Sequence, residues 1–139
     1  MSKPMTQAEV QAQLDVSPFI RFLGLTVASM APEAGRIALS MPMRPETERL
    51  PGSNQFHGGA IAALIDCAGD YALVMGLGGP VPTIDLRVDF LRPSLGPSLL
   101  ATATVRRAGR TIGVVDIDVT DGQERLVATG RGVYAMAVG

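Results

Sequence analysis

The twenty residues from Gly58 to Leu77 constrain this 139-residue chain more than any other segment. Ala60 to Ile65 are apolar without a break, and Ala68, Tyr71, Ala72, Leu73, Val74 and Met75 extend the run. Gly76, Gly78, Gly79, Pro80 and Pro82 end it, because glycine closes helices and proline cannot continue them. A helix that is apolar on most sides must be buried on most sides. The remainder of the chain therefore has to wrap around it.

The remainder has the patterning of strands. Leu25 to Met30 reads as a strand, Ala34-Gly35 as a turn, and Arg36 to Met41 as a second strand with Ile37, Leu39 and Met41 on one face. After the helix, Thr83 to Leu91 alternates, with Ile84, Leu86, Val88 and Phe90 on one face and Asp85, Arg87 and Asp89 on the other. A turn over Pro93 to Pro97 precedes strands at Ser98 to Arg106, Thr111 to Thr120 and Arg125 to Met136. These are joined by Ala108-Gly109-Arg110 and by a hairpin turn at Asp121-Gly122. Pro42 to Phe56, rich in proline and charge, reads as a long loop of the kind that carries function.

At the N-terminus, Thr6 with Glu9 fits a capping box, and Ser17-Pro18 marks a break. A short helix and a docking segment are expected there, with Phe19, Phe22 and Leu23 packed on the main body. The chain thus divides into an N-terminal helical segment, 1–22, and one domain, 23–139. The order of two strands, a long central helix and four antiparallel strands predicts an α+β fold in which the sheet wraps the helix.

Composition narrows the functional classes. Charged residues are 18% of the chain against the usual roughly 25%, an apolar excess that points to a homo-oligomer with a subunit interface. A net charge of −1 gives no basic field for nucleic acid. The single cysteine, Cys67, excludes an internal disulfide and reads as a small buried hydrophobe. No charge-free stretch of about 18 apolar residues marks a membrane span, and Met1 to Leu14 lacks the apolar core of a signal peptide. A cytoplasmic protein is expected. With one histidine there is no metal cluster, and no GxSxG, P-loop or dinucleotide fingerprint calls for a triad or a cofactor.

Candidate chemistry gathers at the helix. Gly58 and Gly59 at its start would let a ligand approach backbone amides that have no internal partner and lie at the positive end of the helix dipole. Such an end can stabilise an oxyanion; equally, it is a glycine turn with His57 bonding at the helix entry. Asp66 is a mid-helix carboxylate among apolar neighbours. That is costly unless it is paired or faces a cleft, so it is either a nucleophile or base, or an Asp that pairs with an arginine or caps a loop. Lying two turns beyond Gly58, it could face a pocket that also meets the helix start. Asp70, one turn further, shares its face, so the two form a polar stripe or one has a raised pKa. Thr83 could orient water or Asp66, and Asn54 could bind a carbonyl or make a turn. Arg106, Arg107 and Arg110 are suited to phosphates, or are a solvated hairpin.

The segment His57-Gly-Gly-Ala-Ile-Ala-Ala-Leu-Ile-Asp66 resembles the HGG…D segment of hotdog thioesterases of the phenylacetate-degradation (PaaI) type. Thr83 to Pro93 resembles the strand after the helix in that family, and Val105 to Thr111 its next hairpin, so the resemblance runs from about Leu23 to Met136. It implies the hotdog fold and hydrolysis of an aryl- or medium-chain acyl-CoA without a cofactor. It also implies Asp66 as catalytic carboxylate, Gly58 as the carbonyl-polarising amide, Thr83 as a water-placing hydroxyl, and Arg110, with Arg107 nearby, at the CoA phosphates. His57 and Gly59 would complete the binding segment. Relatives work as dimers or dimers of dimers, with helix start and Asp supplied by different subunits. Where many relatives have an Asn six residues before the histidine, this chain has Pro51; Asn54 or Gln55 is left to fill that role. Alternatives are a non-catalytic acyl-CoA-binding module and a hotdog hydratase or dehydratase.

Overall fold

A computed structural model describes residues 3–136; the outer limits of the two-part division, at residues 1 and 139, lie outside them. Helix α3, Gly58–Leu77, is the axis of the fold. His57 caps its N-terminus in an extended conformation, and Gly78, at φ 80°, closes it by donating its N–H to the Val74 carbonyl. By length and composition α3 could cross a membrane. Here its apolar surface is covered by a six-stranded antiparallel sheet, which confirms the α+β hotdog arrangement.

The strands are β1 (Thr26–Ala31), β2 (Arg36–Pro42), β3 (Thr83–Phe90), β4 (Ser98–Ala108), β5 (Ile112–Thr120) and β6 (Leu126–Ala135), in spatial order β1-β2-β4-β5-β6-β3. Alternate residues of β2, β4, β5 and β6 face α3. Ile37, Leu39, Met41, Leu99, Ala101, Ala103, Val115, Ile117 and Val119 are buried against Leu64, Ile65 and Ala68. The approach of β6 to α3 requires glycines. A β-carbon at Gly69 would strike the Tyr134 hydroxyl, and one at Gly132 would strike the Tyr134 ring. Tyr134, fully buried, lies across this gap and donates its hydroxyl to the Asp66 carbonyl at 3.1 Å.

The two sheet edges differ. At β1 the exposed backbone is taken up by α1 (Gln7–Val16). Gln11 Oε1 accepts the Val27 amide at 2.7 Å, and the Gln11 and Gln7 side-chain amides donate to the Leu25 and Val27 carbonyls. At β3 nothing among the described residues pairs with the outer edge. The expected alternation is present there, but it buries no face within one chain: Ile84 and Phe90 are each 55% exposed.

Other local differences have clear causes. The Thr6–Glu9 capping box forms, but the docking segment is itself a helix, α2 (Pro18–Leu23), capped by Ser17 and closed by Gly24. Its helical turn sends Ile20 and Leu23 inward, while Phe19 (56% exposed) and Phe22 (47%) point outward and stack on each other. The expected packing of those two rings on the body does not occur. In the β5–β6 connection the left-handed residue is Glu124, at φ 61°, and not Gly122. The Asp121 carboxylate organises it, accepting from the Gln123 and Arg125 amides and from the Arg125 guanidinium. The outer sheet face carries a concavity of about 600 Å³, lined by threonines and by the Arg131–Asp116 and Arg106–Asp116 pairs. It lies on the side of the sheet away from α3.

Candidate active site

The start of α3 presents one open donor. His57 Nδ1 accepts the Gly59 amide at 2.9 Å, so His57 and Gly59 satisfy one another as a helix cap. The Gly58 amide has no hydrogen-bond partner among the described residues, as expected at a helix N-terminus. Gly58 lines a cavity of about 310 Å³ together with Ile61, Phe90, Leu91, Gln55, Arg49 and Arg92, among others. A free amide at the positive helix end thus opens into a space with apolar walls and two guanidinium groups, Arg49 and Arg92. In the sequence Arg49 reads as loop and Arg92 as the end of a strand. Only their convergence from two segments reveals them.

The loop places Gln55, and not Asn54, in this cavity. Gln55 Oε1 accepts from Arg49 at 3.2 Å. Asn54 adopts a left-handed conformation, φ 55°; its amide donates to Glu48 and its side chain lies over Gly96. Arg107 and Arg110 lie at the β4–β5 connection, outside the lining of this cavity.

Asp66 is half-buried on α3, and Thr83 Oγ1, at the first residue of β3, donates to its Oδ1 at 2.7 Å. No ion pair neutralises it among the described residues, so the arginine-partner alternative is excluded there. The turn carrying Asp66 is held by Tyr134 through the Asp66 carbonyl. Eight residues separate Gly58 from Asp66, about 12 Å along the helix axis. The cavity at Gly58 does not include Asp66, which corrects the expectation of one pocket serving both within a single chain.

Two more groups respond to this environment. Burial, reinforced by Asp66 and then Asp70, pushes the Cys67 thiol up to about 12, so it is inert as a nucleophile. Burial and then the Asp66 charge push the Asp70 carboxyl up to about 7, against the opposing effect of the Val81 amide. Asp70 Oδ1 is sealed from solvent and has no hydrogen-bond partner.

Known proteins share this frame. Residues 54–128, spanning the cap, α3 and most of the sheet, match the Thioesterase superfamily. The chain is 38% identical to a protein of Halobacterium salinarum named as an esterase, covering 91% of this chain and 89% of that one. It is 36% identical to the acyl-coenzyme A thioesterase PaaI of Escherichia coli, covering 79% and 76%. The solved structure of that PaaI protein superimposes with a TM-score of 0.81 at 30% identity, over 94% and 91% of the two chains. A crystallographic thioesterase-superfamily protein superimposes with a TM-score of 0.87 at 35% identity, over 94% and 98%. By this family match and these relatives, the chain belongs to the thioesterase superfamily and is a thioester hydrolase.

Proposed function

We propose that the chain hydrolyses acyl-CoA thioesters in sites formed between two copies of itself. The observation that carries this reading is Asp66, a carboxylate in the centre of an apolar helix whose one side-chain partner among the described residues is the Thr83 hydroxyl at the free edge of the sheet. No cation pairs with Asp66 among the described residues, and the Thr83 hydroxyl fixes the direction of its carboxyl group. The Gly58 amide lies about 12 Å away along the same helix, too far to act on the same carbonyl. A second copy apposed along the uncovered β3 edge would bring its own Gly58 towards Asp66. That edge is eight residues long with exposed apolar side chains, a surface that folded proteins generally pair or cover.

In the assembled site the thioester carbonyl oxygen accepts from the Gly58 amide, where the helix dipole stabilises the developing oxyanion. Asp66 of the other copy takes a proton from water as the water oxygen attacks the carbonyl carbon. Alternatively its carboxylate attacks directly, and water later hydrolyses the resulting anhydride. Collapse of the oxyanion expels the CoA thiolate, which regains a proton. The apolar lining of the Gly58 cavity suits an acyl or aryl group, and Arg49 and Arg92 suit the phosphates of CoA. The acyl-coenzyme A activity of the PaaI relative supports this substrate class.

The test is thiol release from a panel of aryl- and medium-chain acyl-CoAs. Asp66→Asn is expected to abolish turnover while folding is retained; unchanged hydrolysis would sink the role given to Asp66. A CoA-dependent rise in Tm without turnover in the unaltered protein would mark a binding module instead.

A further inference from the structure

Asp70 takes no part in the chemistry described above. It follows Asp66 by four residues, about 6 Å along the axis and on the same helix face. Its Oδ1 is sealed from solvent without a partner. The Thr83 and Tyr134 hydroxyls are engaged elsewhere, Thr83 with the Asp66 carboxylate and Tyr134 with the Asp66 carbonyl. The ionisable groups that face Asp70 are Asp66, Cys67 and Tyr71 of its own helix and Tyr134 of β6. All are acids. The segment leading into β3 offers only the Val81 backbone N–H, and no ion pair reaches Asp70 among the described residues.

An ionised carboxylate in this position lacks compensation, so the group keeps its proton into the neutral range. We propose that Asp70 is a positioning residue that tunes Asp66: protonated, it leaves Asp66 as the one charge on this helix face, and deprotonated, it strengthens Asp66 as base or nucleophile. In both roles the reaction moves negative charge from Asp66 towards the carbonyl oxygen. A second negative charge beside Asp66 raises the starting state more than the transition state. The proton from Asp70 goes to solvent and nothing else is exchanged. The proposal rests on Asp66 being the reacting carboxylate.

The test is the pH dependence of kcat for the full-length protein and for Asp70→Asn, with thiol release monitored from about pH 5.5 to about pH 9. In the unaltered protein kcat is expected to rise roughly threefold through a step near pH 7, and folded Asp70→Asn is expected to stay at the low-pH level. The same step in Asp70→Asn overturns the proposal. Carbon-13 NMR of the aspartate carboxyls keeps it falsifiable if that variant fails to fold: one carboxyl of the unaltered protein must titrate near pH 7, and titration of all of them below about pH 5 overturns the proposal. Full activity in Asp66→Asn, together with an NMR step near pH 7 in the unaltered protein, places the failure in the reading of Asp66 and not in the proton held by Asp70.

Discussion

Replacing Asp70 by Asn has a consequence for stability whose size and sign follow from its surroundings. In the unfolded chain the Asp70 carboxyl titrates at its ordinary value, 3.8; in the folded chain burial and Asp66 move it up to about 7. Between those values the folded state binds a proton that the unfolded state has lost, so stability falls as pH rises through the interval and stays lowered above it. The gap corresponds to about 4 kcal/mol at full effect, and solvent relaxation around a group that is not fully enclosed brings this to about 2–4 kcal/mol. Asn carries no charge at any pH. Asp70→Asn is therefore expected to match the unaltered protein within about 1 kcal/mol near pH 4 and to exceed it by about 2–4 kcal/mol near pH 8. Urea unfolding at both pH values, at one fixed protein concentration, measures this as a shift in midpoint with an unchanged slope. A stability difference that does not widen between the two pH values refutes the burial argument.

Thr83→Val removes a hydrogen bond to a charged oxygen at 2.7 Å. It is expected to lower kcat about tenfold, at the low end for charge-assisted bonds because the pair is partly solvated, while Thr83→Ser retains most activity; equal rates in both variants would remove Thr83 from the site. Gly69→Ala forces its new methyl against the Tyr134 hydroxyl, which then loses the Asp66 carbonyl. The expected cost is about 2–4 kcal/mol, read by calorimetry as a fall in Tm of roughly 5–15 °C. Ile84→Lys puts a charge on the exposed edge strand. It should halve the mass seen by light scattering and abolish hydrolysis together; a monomer with full activity would contradict a site shared between copies.

The fold was legible because its strongest signals are local. The apolar run in α3 demands a wrapping sheet, and the alternation in β2, β4 and β5 supplies one whose inner residues are the observed core. Asp66 stands out as a candidate for the same reason, since a carboxylate inside an apolar helix is anomalous from its neighbours alone. Signals that depend on two distant segments were not legible. Arg49 and Arg92 come together only when the loop after β2 meets the end of β3. Asn54 and Gln55 are adjacent, and only the left-handed turn at Asn54 decides which one enters the cavity. Phe19 and Phe22 looked like docking residues, but the helical period of α2 gives the inward positions to Ile20 and Leu23.

The two edges of the sheet show how the same backbone problem leads to opposite functional consequences. At β1 the glutamines of α1 occupy donors and acceptors of Leu25 and Val27 that a neighbouring strand would otherwise take, so the start of this edge is covered within the chain. The sequence signal for that closure is only two glutamines four residues apart on a polar helix. At β3 the edge stays open, and its first residue is the one that grips Asp66. Closing β3 internally would wall off the carboxylate from any second helix start, and a single helix holds its own Gly58 amide about 12 Å out of reach. On the proposed mechanism an uncovered β3 is what the chemistry requires and not a defect of packing: the strand that leaves the sheet unfinished is also the strand whose first residue holds Asp66.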